Sequence, residues 1–346
     1  MLKDNSLEFQ KKVVFAKFIA PSGKEVEKRT EIRINPISGR TSRIALGRNE
    51  EKEPGTETLP LPPPNAADTA GCPFCEPQVM SRTPQILPEI FPEGRIRYNN
   101  SILFPNLFPY GKYSAVSLFD NRHFVEIGTS DVEAYCNSLI NCRNYLHRIL
   151  ICEPDACYMS ITQNHLPSAG GSLIHPHLQV NADSVASNHH RFLSKEAEKY
   201  FLQNGSRLFS DYLRLEKQEG SRYIGKNGAW EWVAAFAPEG FFEIWGILPG
   251  VTSLTQISEA DWQNLAQGII NTQKFYRNQC RNGYNLGILF IEDENPYFEI
   301  RIVIMVRSNY AAWVRNDRTG FEVILGDMAT FTLPEDTAQK ARPFWS

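Results

Sequence analysis

Asn164-His165-Leu166-Pro167-Ser168-Ala169-Gly170-Gly171-Ser172-Leu173-Ile174-His175-Pro176-His177-Leu178-Gln179-Val180 is the stretch on which this chain of 346 residues turns. A period of two from Ile174 to Val180 puts His175, His177 and Gln179 on one face and Ile174, Pro176, Leu178 and Val180 on the other. An extended segment with three polar groups in a row and an apolar back is therefore expected. Pro176 cannot donate to a ladder, which predicts an edge strand or a bulge. The Gly/Ser-rich run before it offers backbone amides that suit a phosphate. A neutral imidazole is a good nucleophile toward phosphorus, and no carboxylate stands on this face for acid–base hydrolysis.

Working outward, the same pattern occurs twice. Tyr113 to Phe119 reads as extended, and Ser130-Asp131-Val132-Glu133 has the capping-box spacing that opens a helix with Val132, Tyr135, Leu139, Leu146 and Ile149 on one face. Extended segments follow over 157–161 and 172–180. In the second copy, Phe241 to Leu248 is extended, Ser258-Glu259-Ala260-Asp261 caps a helix with Trp262, Leu265, Ile269 and Tyr276 on one face, and extended segments follow over 285–291 and 297–304. This predicts an α+β protein of two related domains, each a mostly antiparallel sheet with a packed helix.

Residues 49–70 hold Pro54-Gly55 and Leu59-Pro60-Leu61-Pro62-Pro63-Pro64, which read as a surface linker keeping an N-terminal arm, 1–48, apart from the rest of the chain. The arm contains Glu31-Ile32-Arg33-Ile34, whose alternation reads as a strand. The catalytic domain is expected over 71–200 and the second domain over 201–346.

Lys and Arg number 36 against 39 Asp and Glu, a net charge of −3, and this argues against a dedicated nucleic-acid binder. No apolar run approaches the roughly 18 residues of a membrane span. The N-terminus carries no apolar signal core, so the cytoplasm is the expected location. All seven His fall between His123 and His190, and of seven Cys only Cys280 lies beyond Cys157. Cys72-Pro73-Phe74-Cys75 has the spacing of two thiolates on one metal, or of a redox pair. Cys136, Cys142, Cys152 and Cys157 lie in or beside the apolar helix and read as buried inert thiols, while His147, His165, His189 and His190 receive no role.

Asn164, Gly170, Ser172 and His175-Pro176-His177-Leu178-Gln179 resemble the active-site signature of galactose-1-phosphate uridylyltransferases, a branch of the histidine-triad superfamily. Asn35-Pro36-Ile37-Ser38-Gly39, the Cys72/Cys75 pair, Phe104-Pro105-Asn106-Leu107-Phe108-Pro109 and Gly320-Phe321-Glu322 resemble other family segments in family order. The resemblance implies two histidine-triad-like domains, a homodimer, and His177 attacking the α-phosphorus of a nucleotide sugar to give a covalent nucleotidyl-imidazole. A sugar 1-phosphate then takes the nucleotide. Gln179 is implied as an amide donor to a phosphoryl oxygen, with Ser172, Gly170, Asn164 and Asn106 on the substrate, Arg48 facing a phosphate and Glu322 accepting from a sugar hydroxyl. It further implies a Cys2His2 zinc on Cys72, Cys75, His123 and His175.

The chain departs from the family pattern in three places. Leu107 stands where a ribose-binding carboxylate is expected, and Phe321 where a tyrosine is. No His follows His190, so the second metal site that many members build from second-domain histidines is not expected, and Glu299 and Arg301 stand on one face where the His pair stands in the first domain. Either they form an ion pair, reach an anionic ligand, or are solvated. A phosphorylase using inorganic phosphate is the alternative reading, since relatives with uncharged residues in that loop include phosphorylases of adenine nucleotide sugars. A non-catalytic, zinc-stabilised nucleotide-binding protein is a third.

Overall fold

The computed structural model describes residues 7–46, 58–310 and 318–345. In chain order its elements are β1 (Gln10–Ile19), β2 (Glu25–Ile34), β3 (Thr41–Ala45), α1 (Gln78–Arg82), β4 (Ile96–Tyr98), β5 (Ser101–Pro105) and β6 (Tyr113–Leu118), followed by α2 (Val132–Cys152), β7 (Tyr158–His165) and β8 (His177–Asp183). Then come α3 (Asn188–Asn204), α4 (Leu208–Glu219), β9 (Tyr223–Asn227), β10 (Trp230–Ala234), β11 (Phe241–Ile247), α5 (Glu259–Asn278), β12 (Tyr284–Ile291), β13 (Arg301–Val306), α6 (Gly320–Leu325), β14 (Met328–Thr330) and α7 (Pro334–Ala341).

The repeat is visible in the strand order. One antiparallel sheet of ten strands runs β4-β5-β6-β8-β7-β12-β13-β11-β10-β9. Each half is a hairpin, a strand, a long helix and two strands, the last of which inserts beside the third. The halves meet at β7 and β12, which pair from Tyr158 opposite Ile291 to His165 opposite Tyr284, with Thr162 facing Gly287 near the middle. The 200/201 division falls inside α3, and the two halves share this one sheet.

Helices α2 and α5 lie on the same face and touch each other. Tyr135, Leu139, Leu146 and Ile149 of α2 and Trp262, Leu265, Ile269 and Tyr276 of α5 are all fully buried there, as their spacing predicts. Ser258 and Asp261 form the predicted capping box of α5. At α2 the cap lies one residue later than predicted: Asp131 accepts from the Glu133 amide, so Ser130 is outside the helix. A carboxylate at this position both satisfies an orphan amide and complements the helix dipole.

Two further expectations are corrected. Pro176 is in no edge strand, because β8 begins at His177 and is paired on both sides, with β6 and with β7. The missing amide is thus placed just ahead of a central strand. The segment before β13 is also shorter than predicted: Asn295 turns the chain by accepting from the Phe298 amide, and the strand starts at Arg301.

The arm is docked rather than held apart. β1, β2, β3 and β14 form a second sheet, in which β3 runs parallel to β14 from the C-terminal region. Glu31 and Arg33, the charged members of the alternating run, are the buried ones, whereas Ile34 is exposed. Arg33 reaches Glu335 with both terminal nitrogens (3.0 and 2.8 Å), Glu31 at 2.5 Å and the Phe236 carbonyl at 3.1 Å. A guanidinium so fully bonded can be buried because every donor it turns inward is matched. Among the described residues no helix is long and apolar enough to cross a membrane.

A candidate nucleotidyl-transfer centre beside a metal-ligand cluster

Four ligand atoms of Cys72, Cys75, His123 and His175 lie within 4.8 Å of one another. Cys72 and Cys75 come together because the Cys75 amide bonds back to the Cys72 carbonyl, closing a turn just ahead of α1. The Cys75 sulfur is 3.2 Å from His123 Nδ1 and 3.5 Å from His175 Nδ1, and the Cys72 sulfur is 3.8 Å from His175 Nδ1. On their far sides, His123 Nε2 donates to the Asn65 carbonyl at 3.2 Å and His175 Nε2 to the Asp120 carbonyl at 3.3 Å. A carbonyl only accepts, so both rings carry a proton on Nε2 and turn Nδ1 toward the sulfurs.

Electrostatics point the same way. Burial, then the adjacent Cys72, push the Cys75 thiol up to about 12. Burial holds His175 down at about 4, so its ring is neutral. A bound divalent cation would supply the charge that favours thiolates at such a site. The S2N2 donor set with outward-bonded rings fits a metal ion, and it is the one such cluster among the described residues.

His177 opens β8 two residues beyond His175, opposite Leu118 of β6. Its Nδ1 donates to the His175 carbonyl at 2.7 Å, which leaves Nε2 with the lone pair. Burial lowers its pKa, and the hydrogen bond to the His175 carbonyl only partly offsets this, so the neutral ring is favoured. Phe74, between the two cysteines, stands edge-on to the rings of His177 and His175, with centroids 5.5 and 6.0 Å away. Metal cluster and candidate nucleophile are thus packed as one unit.

Gln179 is next on the same face, and its Oε1 accepts from Asn164 Nδ2 at 3.2 Å across the β7/β8 pair. The loop between these strands is held by two glycines for different reasons. Gly170 has φ of +92°, while a Cβ on Gly171 would lie 2.9 Å from the Asn164 carbonyl oxygen and 3.1 Å from that of Leu166. Ser172 follows them, exposed. Asn106 caps the β5–β6 loop by accepting from the Phe108 amide, and Leu107, Phe108 and Tyr110 on that loop are exposed.

Other predicted residues lie elsewhere. Arg48 is outside the described residues. Glu322 accepts from the Thr319 amide at 2.9 Å in a capping box of α6. It lines a cavity of about 610 Å³ against β11, β12 and β13, whose lining includes neither His177 nor Gln179. Glu299 and Arg301 are neither paired with each other nor solvated as a pair. Glu299 is buried and accepts from the Ser210 amide and hydroxyl and the Gly250 amide. Arg301 opens β13 as His177 opens β8, and its guanidinium lies between Trp245 (4.1 Å) and Phe209 (4.8 Å).

Of the unassigned histidines, His190 bonds the Ser187 hydroxyl and the Met159 carbonyl at the start of α3, and His165 stacks on Tyr284. Cys142 is buried as expected, but Cys152 is exposed at the end of α2. The residues missed by sequence reading are Phe74, Asn65 and Asp120 about the cluster, and Asn285 and Arg307 behind Asn164. Only Phe74 had a local signal, its place inside Cys-x-x-Cys.

No protein-family model matches the chain. It is 29% identical over 350 residues to an uncharacterized protein of Archaeoglobus fulgidus, covering 98% of this chain and 99% of that one. It is 27% identical over 197 residues to the galactose-1-phosphate uridylyltransferase of Hypocrea jecorina, which is 54% of this chain and 50% of the relative. Among solved structures it is similar to an ADP-glucose phosphorylase from Arabidopsis thaliana with bound ADP-glucose, at TM-score 0.69 and 18% identity, covering 90% of this chain and 98% of that one. It is also similar to a uridylyltransferase at TM-score 0.65 and 18% identity, covering 91% and 98%. The chain therefore has the α+β fold that these two enzymes share.

Proposed function

We propose that this protein is a nucleotidyltransferase that moves a nucleoside monophosphate between a nucleotide sugar and a sugar 1-phosphate through a covalent nucleotidyl-His177. The observation that carries the reading is the 2.7 Å bond from His177 Nδ1 to the His175 carbonyl, which leaves a neutral imidazole with its Nε2 pair available. In the first step Nε2 attacks the α-phosphorus, an N–P bond forms, and the P–O bond to the β-phosphate breaks with its electron pair leaving on the sugar 1-phosphate. The proton on Nδ1 stays shared with the His175 carbonyl and stabilises the cationic ring. In the second step an oxygen of an incoming sugar 1-phosphate attacks phosphorus and the N–P pair returns to His177. Gln179 stabilises the phosphoryl oxygens without a titratable proton, and Ser172, Gly170 and Asn164 border the phosphates while Asn106 borders the nucleoside.

The cluster of Cys72, Cys75, His123 and His175 would hold zinc. Tetrahedral zinc with bonds of about 2.3 Å to sulfur and 2.05 Å to nitrogen gives S···N edges of about 3.6 Å. The three sulfur–nitrogen distances of 3.2, 3.5 and 3.8 Å bracket that value. With four protein ligands the ion would orient His175, and through its carbonyl His177, rather than activate water.

Inorganic phosphate as acceptor is the second reading, favoured by Leu107 in place of an acidic residue and by Glu322 being engaged with its own helix. The fold shared with an ADP-glucose phosphorylase supports it as well. A role in galactose metabolism, a homodimer and a cytoplasmic location belong to the same proposal. The exposed Leu107, Phe108 and Tyr110 support association of two copies, and the seven cysteines, which form no disulfide among the described residues, suit a reducing compartment.

Incubation with UDP- and ADP-sugars followed by intact mass tests the reading. An adduct of one nucleoside monophosphate, absent in His177→Ala, is expected; its discharge by phosphate or by sugar 1-phosphate assigns the acceptor. No adduct and no exchange with any nucleotide sugar would overturn it. Zinc content at one per chain, lost in Cys72→Ser, tests the metal.

A further inference from the structure

Resting on the reading of Gln179 as a phosphoryl-oxygen donor, we infer that Asn285 and Arg307, from the histidine-free half, are positioning residues that set which end of the Gln179 amide faces the substrate. Arg307 Nη1 donates to Asn285 Oδ1 at 2.6 Å. Asn285 Nδ2 donates to Asn164 Oδ1 at 2.6 Å and to the Ala169 carbonyl at 2.9 Å. Asn164 Nδ2 then donates to Gln179 Oε1 at 3.2 Å. Three amides in series could run in either direction, because each has one donor end and one acceptor end. Here the direction is imposed at Asn285: a guanidinium only donates and a backbone carbonyl only accepts, so Oδ1 must face Arg307 and Nδ2 must face Ala169 and Asn164. The polarity passes on, Gln179 Oε1 is occupied as an acceptor, and Nε2 is left as the donor on the face it shares with His177.

The same Asn285 bond to Ala169 also fastens the loop that carries Gly170 and Ser172. The seam between β7 and β12 brings these residues together, since Asn285 faces Asn164 in the register of that pair. The second half thus acts on the transfer centre through the shared sheet, without a titratable or metal-ligating group of its own.

Asn285→Asp tests this, because it preserves shape and strengthens the Arg307 contact yet cannot donate. Asn164 must then turn its amide toward the carboxylate, Gln179 must follow, and Oε1 is presented to the phosphoryl group. Loss of one such donor costs about 100-fold in rate, so adduct formation in Asn285→Asp is expected to fall about 100-fold, as in Gln179→Ala. In the Gln179→Ala background, Asn285→Asp is expected to add little, because the amide it misdirects is already gone. An unchanged rate in the single variant, or the same loss in both backgrounds, overturns the relay. If Asn285→Asp does not fold, Asn285→Leu, which removes both the Arg307 and the Ala169 contacts that set the direction without adding charge, serves in the same cycle and is expected to lose at least about 2-fold, since both orientations of the Gln179 amide are then accessible. Failure of the wild type to form any adduct is a failure of the transfer reading and is recognised as such. The relay is then read from the side-chain amide resonance of Gln179 in protein labelled with nitrogen-15 glutamine. That signal is expected to move in Asn285→Asp, and an unmoved signal refutes the coupling.

Discussion

Replacing Gly171 by alanine puts a methyl carbon against two backbone oxygens, 2.9 Å from that of Asn164 and 3.1 Å from that of Leu166. Ordinary contact begins at 3.4 Å, so the loop has to retreat by about 0.5 Å. Neither obstacle is a flexible side chain, and the retreat also stretches the bond from the Gly171 amide to the Leu166 carbonyl, now 3.1 Å. Overpacking of this kind costs about 1–3 kcal/mol. For 346 residues unfolding entropy is near 0.7 kcal/mol per kelvin, which makes the loss about 1.5–4 °C in melting temperature. The loop precedes His177, and a misplacement of about 1 Å can cost 100-fold in rate, so half that distance predicts about a 10-fold slower adduct formation.

Gly170 supplies the control. An alanine there meets nothing within 4 Å, but φ of +92° places it in the left-handed region, at a cost of about 1–2 kcal/mol. Asparagine tolerates that conformation, so Gly170→Asn is expected to recover most of what Gly170→Ala loses, whereas Gly171→Asn is expected to be worse than Gly171→Ala. Thermal melts and rapid-quench mass spectrometry on the four proteins measure both quantities. A Gly171→Ala protein equal to wild type, or asparagine rescue at 171 and not at 170, would refute the reasoning.

If the cluster holds the proposed zinc, its removal by a chelator is expected to slow adduct formation by about 10–100-fold and to lower the melting temperature, with added zinc restoring both; unchanged kinetics after verified metal loss would show that the cluster does not orient His177. Burial opposes the charge on Glu335, but the hydrogen bond and charge of Arg33, and then Arg222, outweigh it and hold its pKa at about 2. An unfolded glutamate titrates near 4.3, so this depressed group contributes stability above that pH and loses it as pH falls from about 4.3 toward 2. Glu335→Gln should therefore unfold at lower urea than wild type at pH 7, with the gap closing across that window; a pH-independent gap would deny the linkage. Asp131→Ala is expected to cost about 1 kcal/mol by removing the α2 cap, against a few tenths for Ser130→Ala, and equal effects in chemical denaturation would restore Ser130 as the cap.

Local pattern carried a large part of this molecule. The spacing of apolar residues in α2 and α5 follows from 3.6 residues per turn, and the polar face of His175, His177 and Gln179 from a period of two, so neither needs a partner to be read. The metal-ligand set was legible only through the family resemblance, since Cys72 and His175 are far apart in the chain. Rules about a single residue failed where a neighbour could absorb the exception. Pro176 lacks an amide donor, yet the strand simply begins one residue later; Glu31 and Arg33 are charged, yet burial is tolerated because Glu335, 302 positions from Arg33, completes the bonding.

By itself, then, the sequence determined the helices α2 and α5 and the central strands around them, that this pattern repeats, and which imidazole stands beside which amide on one strand. Tertiary structure decided that the halves join edge to edge through β7 and β12, that the arm folds back onto the second half, and that Asn285 and Arg307 stand behind Gln179. Those outcomes rest on pairings between residues more than a hundred positions apart. A one-residue slip in register would send each such side chain to the opposite face of the sheet, and no local period encodes it.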